Sequence, residues 1–436
     1  MRPAAFRSCL TLAFVLLAAP AWAENWPQWR GPAGNNISTE TNLPTEFGPV
    51  KNLAWKAPLP GMGGSTPIIW DKRLFITAED GEDLVLLCFD LDGKELWKSK
   101  ISSGKKRFRN DEGNQASPSP CTDGKHVWVF FGTGEFACCD MTGKIVWEFN
   151  AEERYGKFDI LHGMHVTPLL DGDRLYLSLL HAGRSWVVAL DKATGKDVWK
   201  VNRPTDGDFE GTHSYASPVM WRKGKDAYLI VHGADYTTAH DLKDGHQIWR
   251  LGDLNPKGNR YDRTFRIIAS PTVTPDLIVI PTCKSGPVVA LKPDATGDIK
   301  AGSKFEQWRI PPGSKEVPNR TPDVPCPLID NGLIYIVRQY GLDTGALYCF
   351  DLETGKQIYV QKLTPARYRA TPVLADGKIY IVARDGVVTV VKPGKEFKLL
   401  ATNKMGDEIA ASPAVSQGRI YLRGFKGLYA ISEGGK

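Results

Sequence analysis

The stretch that decides the fold is Val187-Val188-Ala189-Leu190-Asp191-Lys192-Ala193-Thr194-Gly195-Lys196-Asp197-Val198-Trp199. It holds a short apolar run, an Asp, a Thr-Gly-Lys turn and an aromatic residue three positions after the Lys. A second clear copy runs from Cys349-Phe350-Asp351 through Thr354-Gly355-Lys356. Apolar runs on both sides of a Gly-containing turn are typical of a β-hairpin. The stretch therefore predicts the last two strands of a recurring antiparallel unit.

The unit also has a recognisable beginning, which is a small residue and a Ser or Thr followed by Pro and a short apolar run. This Pro recurs eight times, at Pro67, Pro118, Pro168, Pro218, Pro271, Pro327, Pro372 and Pro413. The aromatic position that ends the unit holds Trp97, Trp147, Trp199, Trp249 and Trp308, and then Tyr359 and Leu400. Repetition at this period indicates a propeller or a solenoid.

Each copy is predicted to contain four short strands; in the third copy they lie near 167–170, 174–178, 186–191 and 197–201. One such sheet cannot bury both of its faces, so the copies must stack on one another. The eighth copy ends without a fourth strand, and Leu53-Ala54-Trp55-Lys56 supplies a matching strand with its Trp. A superhelical solenoid would not explain that match. We therefore expect an all-β, eight-bladed β-propeller over residues 53–436, its last blade closed by the N-terminal strand.

The N-terminus is predicted to be a secretory signal peptide, residues 1–23. Arg2 and Arg7 precede the apolar stretch 10–19, and Ala21-Trp22-Ala23 supplies small residues for cleavage. Cys9 lies ahead of the apolar stretch, so no lipid anchor is expected. Residues 24–52 form an N-terminal extension, and we expect a periplasmic or secreted monomer.

Composition gives a weak charge bias. The formal charge of +6 falls by the two leader arginines to +4 after cleavage. Such a small excess argues against nucleic acid as a general partner. No later stretch is long and apolar enough to span a membrane.

The repeat signature Ala-x-Asp-x-x-Thr-Gly-Lys-x-x-Trp resembles the tryptophan-docking repeat of pyrroloquinoline-quinone (PQQ) propellers, over roughly residues 53–432. One branch of that superfamily consists of PQQ- and calcium-dependent alcohol dehydrogenases. The other branch lacks the cofactor and includes BamB, a scaffold lipoprotein of outer-membrane protein assembly. The fold alone does not choose between them.

The pair Cys138-Cys139 has the letters of the vicinal disulfide that the dehydrogenases carry beside the quinone. Here, however, the pair falls in the third strand, where other copies place Ala or another small apolar residue. Neighbouring residues of a strand point to opposite faces. We therefore interpret both cysteines as packing residues. Seven cysteines remain after removal of Cys9, and none has the spacing of a zinc site.

The loops that enter the first strands contain the best candidate site, because they converge at one mouth of a propeller. They are rich in Arg, His and aromatic residues, which suit an anionic ligand or an acidic segment of a partner. The candidate rim residues are Arg107, Arg109, Asn114, Gln115, His162, His165, His213, Tyr215, Arg263, Arg266, Arg320, Arg367 and Arg369. The alternative is an ordinary set of solvated, ion-paired loop charges.

Three functions follow as hypotheses. The first is a non-enzymatic binding or scaffold module of the cell envelope, without cofactor, metal or catalytic residues. The second is a PQQ- and calcium-dependent alcohol or sugar dehydrogenase, for which Glu112, Asn114, Gln115 and Asp323 could donate calcium ligands. The third is a binder of envelope polysaccharides or other polyanions at the same rim. Trp55, Trp97, Trp147, Trp199, Trp249 and Trp308 are expected to be structural.

Overall fold

The computed structural model describes residues 24–104, 113–255, 261–284, 286–311, 320–340 and 344–435. Its strands form eight separate sheets in chain order around a ring, and the four blade strands of each sheet are antiparallel. The eight-bladed propeller predicted from the repeat is therefore confirmed.

The blades are numbered from the first sheet, and their strands run from the channel outwards. Blade 1 holds Ile68–Trp70, Arg73–Asp80, Asp83–Asp90 and Glu95–Ser103. Blade 2 holds Cys121–Thr122, His126–Phe130, Glu135–Asp140 and Ile145–Asn150, followed by the short helix Ala151–Tyr155. Blade 3 holds Leu169–Asp171, Arg174–Leu179, Trp186–Asp191 and Asp197–Asn202. Blade 4 holds Val219–Lys223, Asp226–Gly233, Tyr236–His240 and Gln247–Leu251, and a 3₁₀ turn, Phe209–Thr212, precedes it.

The second half of the ring repeats this order. Blade 5 holds Thr272–Val273, Ile278–Ile280, Val288–Leu291 and Glu306–Ile310. Blade 6 holds Leu328–Asp330, Leu333–Tyr340, Thr344–Asp351 and Gln357–Lys362. Blade 7 holds Val373–Ala375, Lys378–Val382, Val387–Lys392 and Lys398–Lys404. Blade 8 holds Ala414–Ser416, Arg419–Arg423 and Gly427–Ile431, and its outer strand is Leu53–Pro58.

The ring is closed by that outer strand of blade 8. Leu53–Pro58 pairs antiparallel with Gly427–Ile431, with Trp55 opposite Ala430 and Pro58 opposite Gly427. Pairing of the two ends of the chain in one sheet removes the open end that a linear stack would leave.

Tryptophan docking joins the blades at their periphery. Each docked indole lies on the Gly of the next blade's turn and donates its Nε1–H to a nearby carbonyl of that blade. The donor–acceptor pairs are Trp55 to Leu91, Trp97 to Met141, Trp147 to Lys192, Trp199 to Leu242 and Trp308 to Leu352, at 2.6–3.2 Å. The glycines under these indoles are Gly93, Gly143, Gly195, Gly245 and Gly355, all with positive φ.

The junction between blades 4 and 5 departs from this pattern. Trp249 is fully buried, and among the described residues no carbonyl of blade 5 accepts a hydrogen bond from its indole nitrogen. The strand Gly297–Ile299 leaves blade 5 and pairs parallel with Gln247–Leu251, with Gly297 opposite Trp249. This fifth strand covers the outer edge of blade 4, in the place where the indole would otherwise dock.

The vicinal cysteines lie within the third strand of blade 2, on opposite faces. Cys138 packs in the core with Trp128 and Leu177, and Cys139 packs in the core with Phe75. Both thiols are free, as are the other five cysteines of the described chain. Burial raises the pKa of each of the two thiols to about 12. They are packing residues, as the comparison of repeat positions predicted.

The Gly under a docked Trp should not tolerate a side chain. A Cβ at Gly245 would lie 2.5 Å from Cε3 of Trp199, at φ +79. A Cβ at Gly172 has the same kind of backbone (φ +56) but meets nothing within 4 Å. Gly172→Ala should cost about 1–2 kcal/mol for the left-handed conformation. Gly245→Ala should cost about 1–3 kcal/mol more, because overpacking displaces the indole. Urea unfolding checks this, and equal losses in the two variants would contradict the docking role.

Candidate functional site

A ring of side chains around the channel is built by the residue that precedes the Pro of each first strand. In blade 2 this Pro is Pro120, because Ser119 takes the ring position, so the sequence assignment of Pro118 was wrong by two residues. The eight ring residues are Thr66, Ser119, Thr167, Ser217, Ser270, Cys326, Thr371 and Ser412. They take the repeat position that the sequence marked as Ser or Thr before Pro, with Cys326 as the exception.

Seven of the eight ring residues join their own blade to the next one through a hydrogen bond. The backbone N–H of one ring residue donates to the side-chain oxygen or sulfur of the following one. These bonds run Thr66 to Ser119, Ser119 to Thr167, Thr167 to Ser217, Ser217 to Ser270, Ser270 to Cys326, Cys326 to Thr371 and Thr371 to Ser412, at 2.9–3.2 Å. The sequence fixes the spacing of the ring because the Pro sets where each first strand begins.

The ring surrounds a cavity of about 190 Å³ on the propeller axis. Its wall is made mainly by the loops that enter the first strands, with additional residues from the second-to-third strand loops of blades 7 and 8. Besides seven of the ring residues, its polar and aromatic lining comprises Trp29, Asn114, Ser117, His162, His165, Tyr215, Arg266, Asp323, Arg369, Arg384 and Phe425.

The N-terminal extension crosses the other end of the channel. Trp26 exchanges backbone hydrogen bonds with Ile69 of blade 1, and the carbonyl of Pro27 accepts from Thr122 of blade 2. Asn36 and Ser38 bond to the backbone of Leu374 in blade 7. All three partners lie in the first strands, beyond the ring position. The extension thus packs on the ring, and the cavity opens towards the loop side.

Trp29 and Arg30 form the floor of this cavity region. Trp29 lines the cavity, while Arg30 is 2% exposed and donates to the Pro271 carbonyl at 2.8 Å and to Thr272 Oγ1 at 2.7 Å. Burial lowers the pKa of Arg30. A buried guanidinium held by two oxygens of blade 5 fixes the crossing segment against the ring.

The structure brings together about half of the candidate rim residues. Asn114, His162, His165, Tyr215, Arg266 and Arg369 line the cavity. Gln115, His213, Arg263, Arg320 and Arg367 do not line it. Arg107 and Arg109 lie outside the described residues.

Two rim residues outside the wall have evident structural contacts. Arg263 is an exposed residue whose Nε lies 2.6 Å from an Asp208 oxygen. His213 is buried, and its backbone bonds to Glu210 and Ile267. The loop-charge alternative therefore describes Arg263, whereas His213 is a buried residue and not a solvated, ion-paired charge.

Three arginines line the cavity, one from blade 5 and two from blade 7. Arg266 Nη1 lies 3.2 Å from Glu210, Arg369 donates to the Gln339 side chain at 2.7 Å, and Arg384 Nε lies 3.3 Å from Glu408. Burial opposes the charge on Arg266, but Asp323 and Glu210 outweigh it and raise the pKa of Arg266. These contacts hold the guanidinium groups in place along the wall.

One side of the wall holds His162, His165 and Tyr215. The Tyr215 ring centre is 5.7 Å from that of His162 and 5.8 Å from that of His165. Burial and the neighbouring His162 lower the pKa of His165 to about 4. Burial also raises the pKa of Tyr215. At neutral pH His165 is an uncharged donor and acceptor, and Tyr215 is an uncharged phenol.

Trp29, Arg384 and Phe425 are wall residues that the sequence reasoning missed. Arg384 and Phe425 occupy equivalent positions, two residues after the second strands of blades 7 and 8. A comparison of these positions down the repeat would have found them. Trp29 belongs to the N-terminal extension, which has no equivalent position in the repeat, so a comparison of the copies could not have found it.

The described part of the wall does not fit a calcium ion beside a quinone, and Glu112, one of the predicted ligands, lies outside the described residues. Calcium needs six to eight oxygen ligands, among which carboxylates dominate. Among the described residues the cavity lining contains one carboxylate, Asp323, and that carboxylate faces Arg266. Among all the residues that the structure describes, one group of three metal-ligating side chains lies close together, namely Asp241, Asp244 and His246 in a surface turn away from the cavity. No step of a quinone reaction can be derived from these residues.

The fold and the repeat define a PQQ-like propeller, and sequence comparison gives its family. The family model described as "Outer membrane protein assembly factor BamB" matches residues 82–341 and 298–395, so the chain belongs to that family. No curated protein sequence matches the chain at a significant level. No helix of the described residues is long and apolar enough to cross a membrane.

Solved structures of both branches share the fold at low identity. BamB from Moraxella catarrhalis is 14% identical with a TM-score of 0.57, covering 85% of this chain and 99% of that one. Quinohemoprotein alcohol dehydrogenase from Comamonas testosteroni is 15% identical with a TM-score of 0.70, covering 94% and 81%. A europium-containing methanol dehydrogenase is 16% identical with a TM-score of 0.65, covering 93% and 90%. At such identity the likeness shows the fold alone.

Acid should destabilise this protein through its buried histidines. Burial lowers the pKa of His165, His232 and His240 to about 4, against 6.5 in the unfolded chain. The unfolded chain therefore binds more protons, and stability falls as pH drops from about 6.5 to 4, by up to about 1.4 kcal/mol per pH unit and histidine.

The variant His240→Gln tests this, because His240 bonds to Gly245 and Thr238 with its two ring nitrogens while neutral. Urea unfolding at several pH values should show that the free energy of unfolding falls less steeply with decreasing pH in His240→Gln than in the wild type. His246→Gln, at an exposed turn, is the control and should keep the wild-type slope. If the free energy of unfolding falls as steeply with acid in His240→Gln as in the wild type, the buried His240 does not contribute to the acid sensitivity.

Proposed function

We propose that this protein is an exported, non-enzymatic binding module of the cell envelope. Its channel takes up an anionic group, a carboxylate above all, from a partner protein or small ligand. The observation that carries the proposal is the cavity itself, with hydroxyl groups and three arginines on its wall and the extension across its far end. Membership of the BamB family supports a scaffold role in outer-membrane protein assembly.

The hydroxyl ring supports recognition of oxygen anions. The oxygens of Ser119, Thr167, Ser217, Thr371 and Ser412 accept backbone N–H groups. A hydroxyl that accepts a hydrogen bond still carries its own proton. Within the described part of the chain these five protons have no assigned acceptor, and all five side chains line the cavity. A bound anion would give them one.

The arginines add charge and direction. Arg266 belongs to the loop that enters blade 5, Arg369 to the loop that enters blade 7, and Arg384 to the loop after the second strand of blade 7. Each guanidinium group is oriented by an acceptor on the protein. A planar guanidinium binds a carboxylate or phosphate with two parallel hydrogen bonds. Because each arginine is already oriented, little side-chain entropy is lost when the anion binds.

The size of the cavity favours a small group over a whole cofactor. Drug-sized ligands occupy pockets of about 300–1,000 Å³. The channel offers about 190 Å³. That space suits an acidic side chain, a C-terminal carboxylate or a small acid, with the remainder of the ligand outside the mouth.

Small acids should therefore stabilise the protein through Arg369. Succinate should raise the melting temperature of the mature chain, and neutral succinamide should not. Arg369→Gln should weaken succinate binding about tenfold, because a charge-assisted hydrogen bond contributes about 1.5 kcal/mol. Calorimetric titration checks this after the ligand-free melting temperature has shown that the variant folds.

Arg222→Gln is the matched control, since Arg222 pairs with Asp171 at the exposed end of a first-strand hairpin. If both variants weaken succinate binding equally, the effect comes from the general charge of the protein, and the channel is not the binding site. Tight binding of PQQ with Ca²⁺, with quinone absorbance and alcohol-dependent dye reduction, would instead support the dehydrogenase. Phosphate in place of succinate distinguishes a carboxylate site from a general oxyanion site.

A further inference from the structure

The contacts around Glu24 point to a new amino terminus at this residue. The Glu24 backbone nitrogen lies 2.7 Å from Glu40 Oε1. The Glu24 side chain accepts from Ser38 and Thr39, and its carbonyl accepts from the Ser416 hydroxyl. Every polar group of Glu24 is thus held by the folded ring or by the extension.

Glu40 connects this residue to blade 8. Its Oε1 also accepts from the Gln417 backbone at 2.8 Å, and its Oε2 accepts from the Gly418 backbone at 2.6 Å. Both donors belong to the turn between Ala414–Ser416 and Arg419–Arg423. A carboxylate fixed by two backbone N–H groups is a ready-made acceptor for a third donor.

The charges at this position are not balanced by side chains. The Glu40 carboxylate reaches the Glu24 nitrogen, and the Glu24 carboxylate lies against Ser38 and Thr39. No Lys, Arg or His of the described chain lies within ion-pair distance of either carboxylate. A peptide N–H at Glu24 offers one hydrogen bond and no charge. An α-ammonium offers three donors and the missing positive charge.

We propose that, once the predicted leader is removed after Ala23, the new α-ammonium of Glu24 pairs with Glu40. In the cleavage an envelope endopeptidase adds one water across the bond. The leaving peptide keeps the Ala23 carboxylate, and Glu24 keeps the amine, which takes up a proton. The pair fastens the start of the segment whose Trp29 forms the floor of the channel.

The ammonium pair rests on the proposed export of the protein but not on the proposed anionic ligand. Failure of succinate to bind would leave the ammonium pair untouched. Conversely, loss of the pair would be visible in a chain that binds no anion at all. The two claims are therefore tested by separate readouts.

The test compares mature chains that begin at Glu24 with chains that retain Ala23. In the Glu24 chain the pair should raise the pKa of the α-amine above its usual value of about 8. A rise of about one unit slows acylation of that amine by an activated ester at pH 7 about tenfold. Mass spectrometry of the N-terminal peptide gives this rate. Glu40→Gln should restore fast acylation, and Glu82→Gln, an exposed control, should not.

A stability cycle gives the second readout. Adding Ala23 should lower the melting temperature by about 1–2 °C in the wild-type background, and by nothing further in Glu40→Gln. Intact mass of the protein recovered from the envelope should correspond to a chain starting at Glu24. Equal acylation rates in wild type and Glu40→Gln, or a different native start, would overturn the proposal.

Discussion

The propeller depends on the contact between one blade and the next, because no single four-stranded sheet can bury both of its faces. Two kinds of hydrogen bond fix that contact. At the channel, a backbone N–H donates to the Ser, Thr or Cys before the next blade's Pro. At the periphery, an indole N–H donates to a carbonyl near the next blade's Gly turn. The same inner bonds that hold the ring also line its cavity, so architecture and candidate site share residues.

The extension gives this ring a second level of closure. Leu53–Pro58 completes blade 8, and residues 24–38 bond to blades 1, 2, 5, 7 and 8 across the channel end. Trp29 enters the cavity from that segment. A through-channel is thereby converted into a site reached from the loop side, and the start of the folded chain becomes part of the candidate site.

The repeat predicted the blade number, the ring closure by Trp55 and the packing role of Cys138 and Cys139. These features follow from local patterns that recur, so a misread copy is corrected by the others; Pro118, read in place of Pro120, is the exception. The rim was predicted only in part. Loops that enter the first strands do converge, yet strand pattern does not reveal which side chains point inward and which, like Arg263, pair with a neighbour at the surface. Trp29 was beyond reach, since its segment has no equivalent in the repeat.

The proposed function requires that the channel is an anion site built from the ring hydroxyls and the wall arginines. A crystal structure of the mature protein with bromoacetate tests it most directly, because anomalous scattering from bromine locates the anion. We predict a bromine peak in the cavity, with the carboxylate within hydrogen-bond distance of Arg369 or Arg384 and of ring hydroxyls. Bromine peaks confined to the outer surface, with the cavity holding only water, would contradict it.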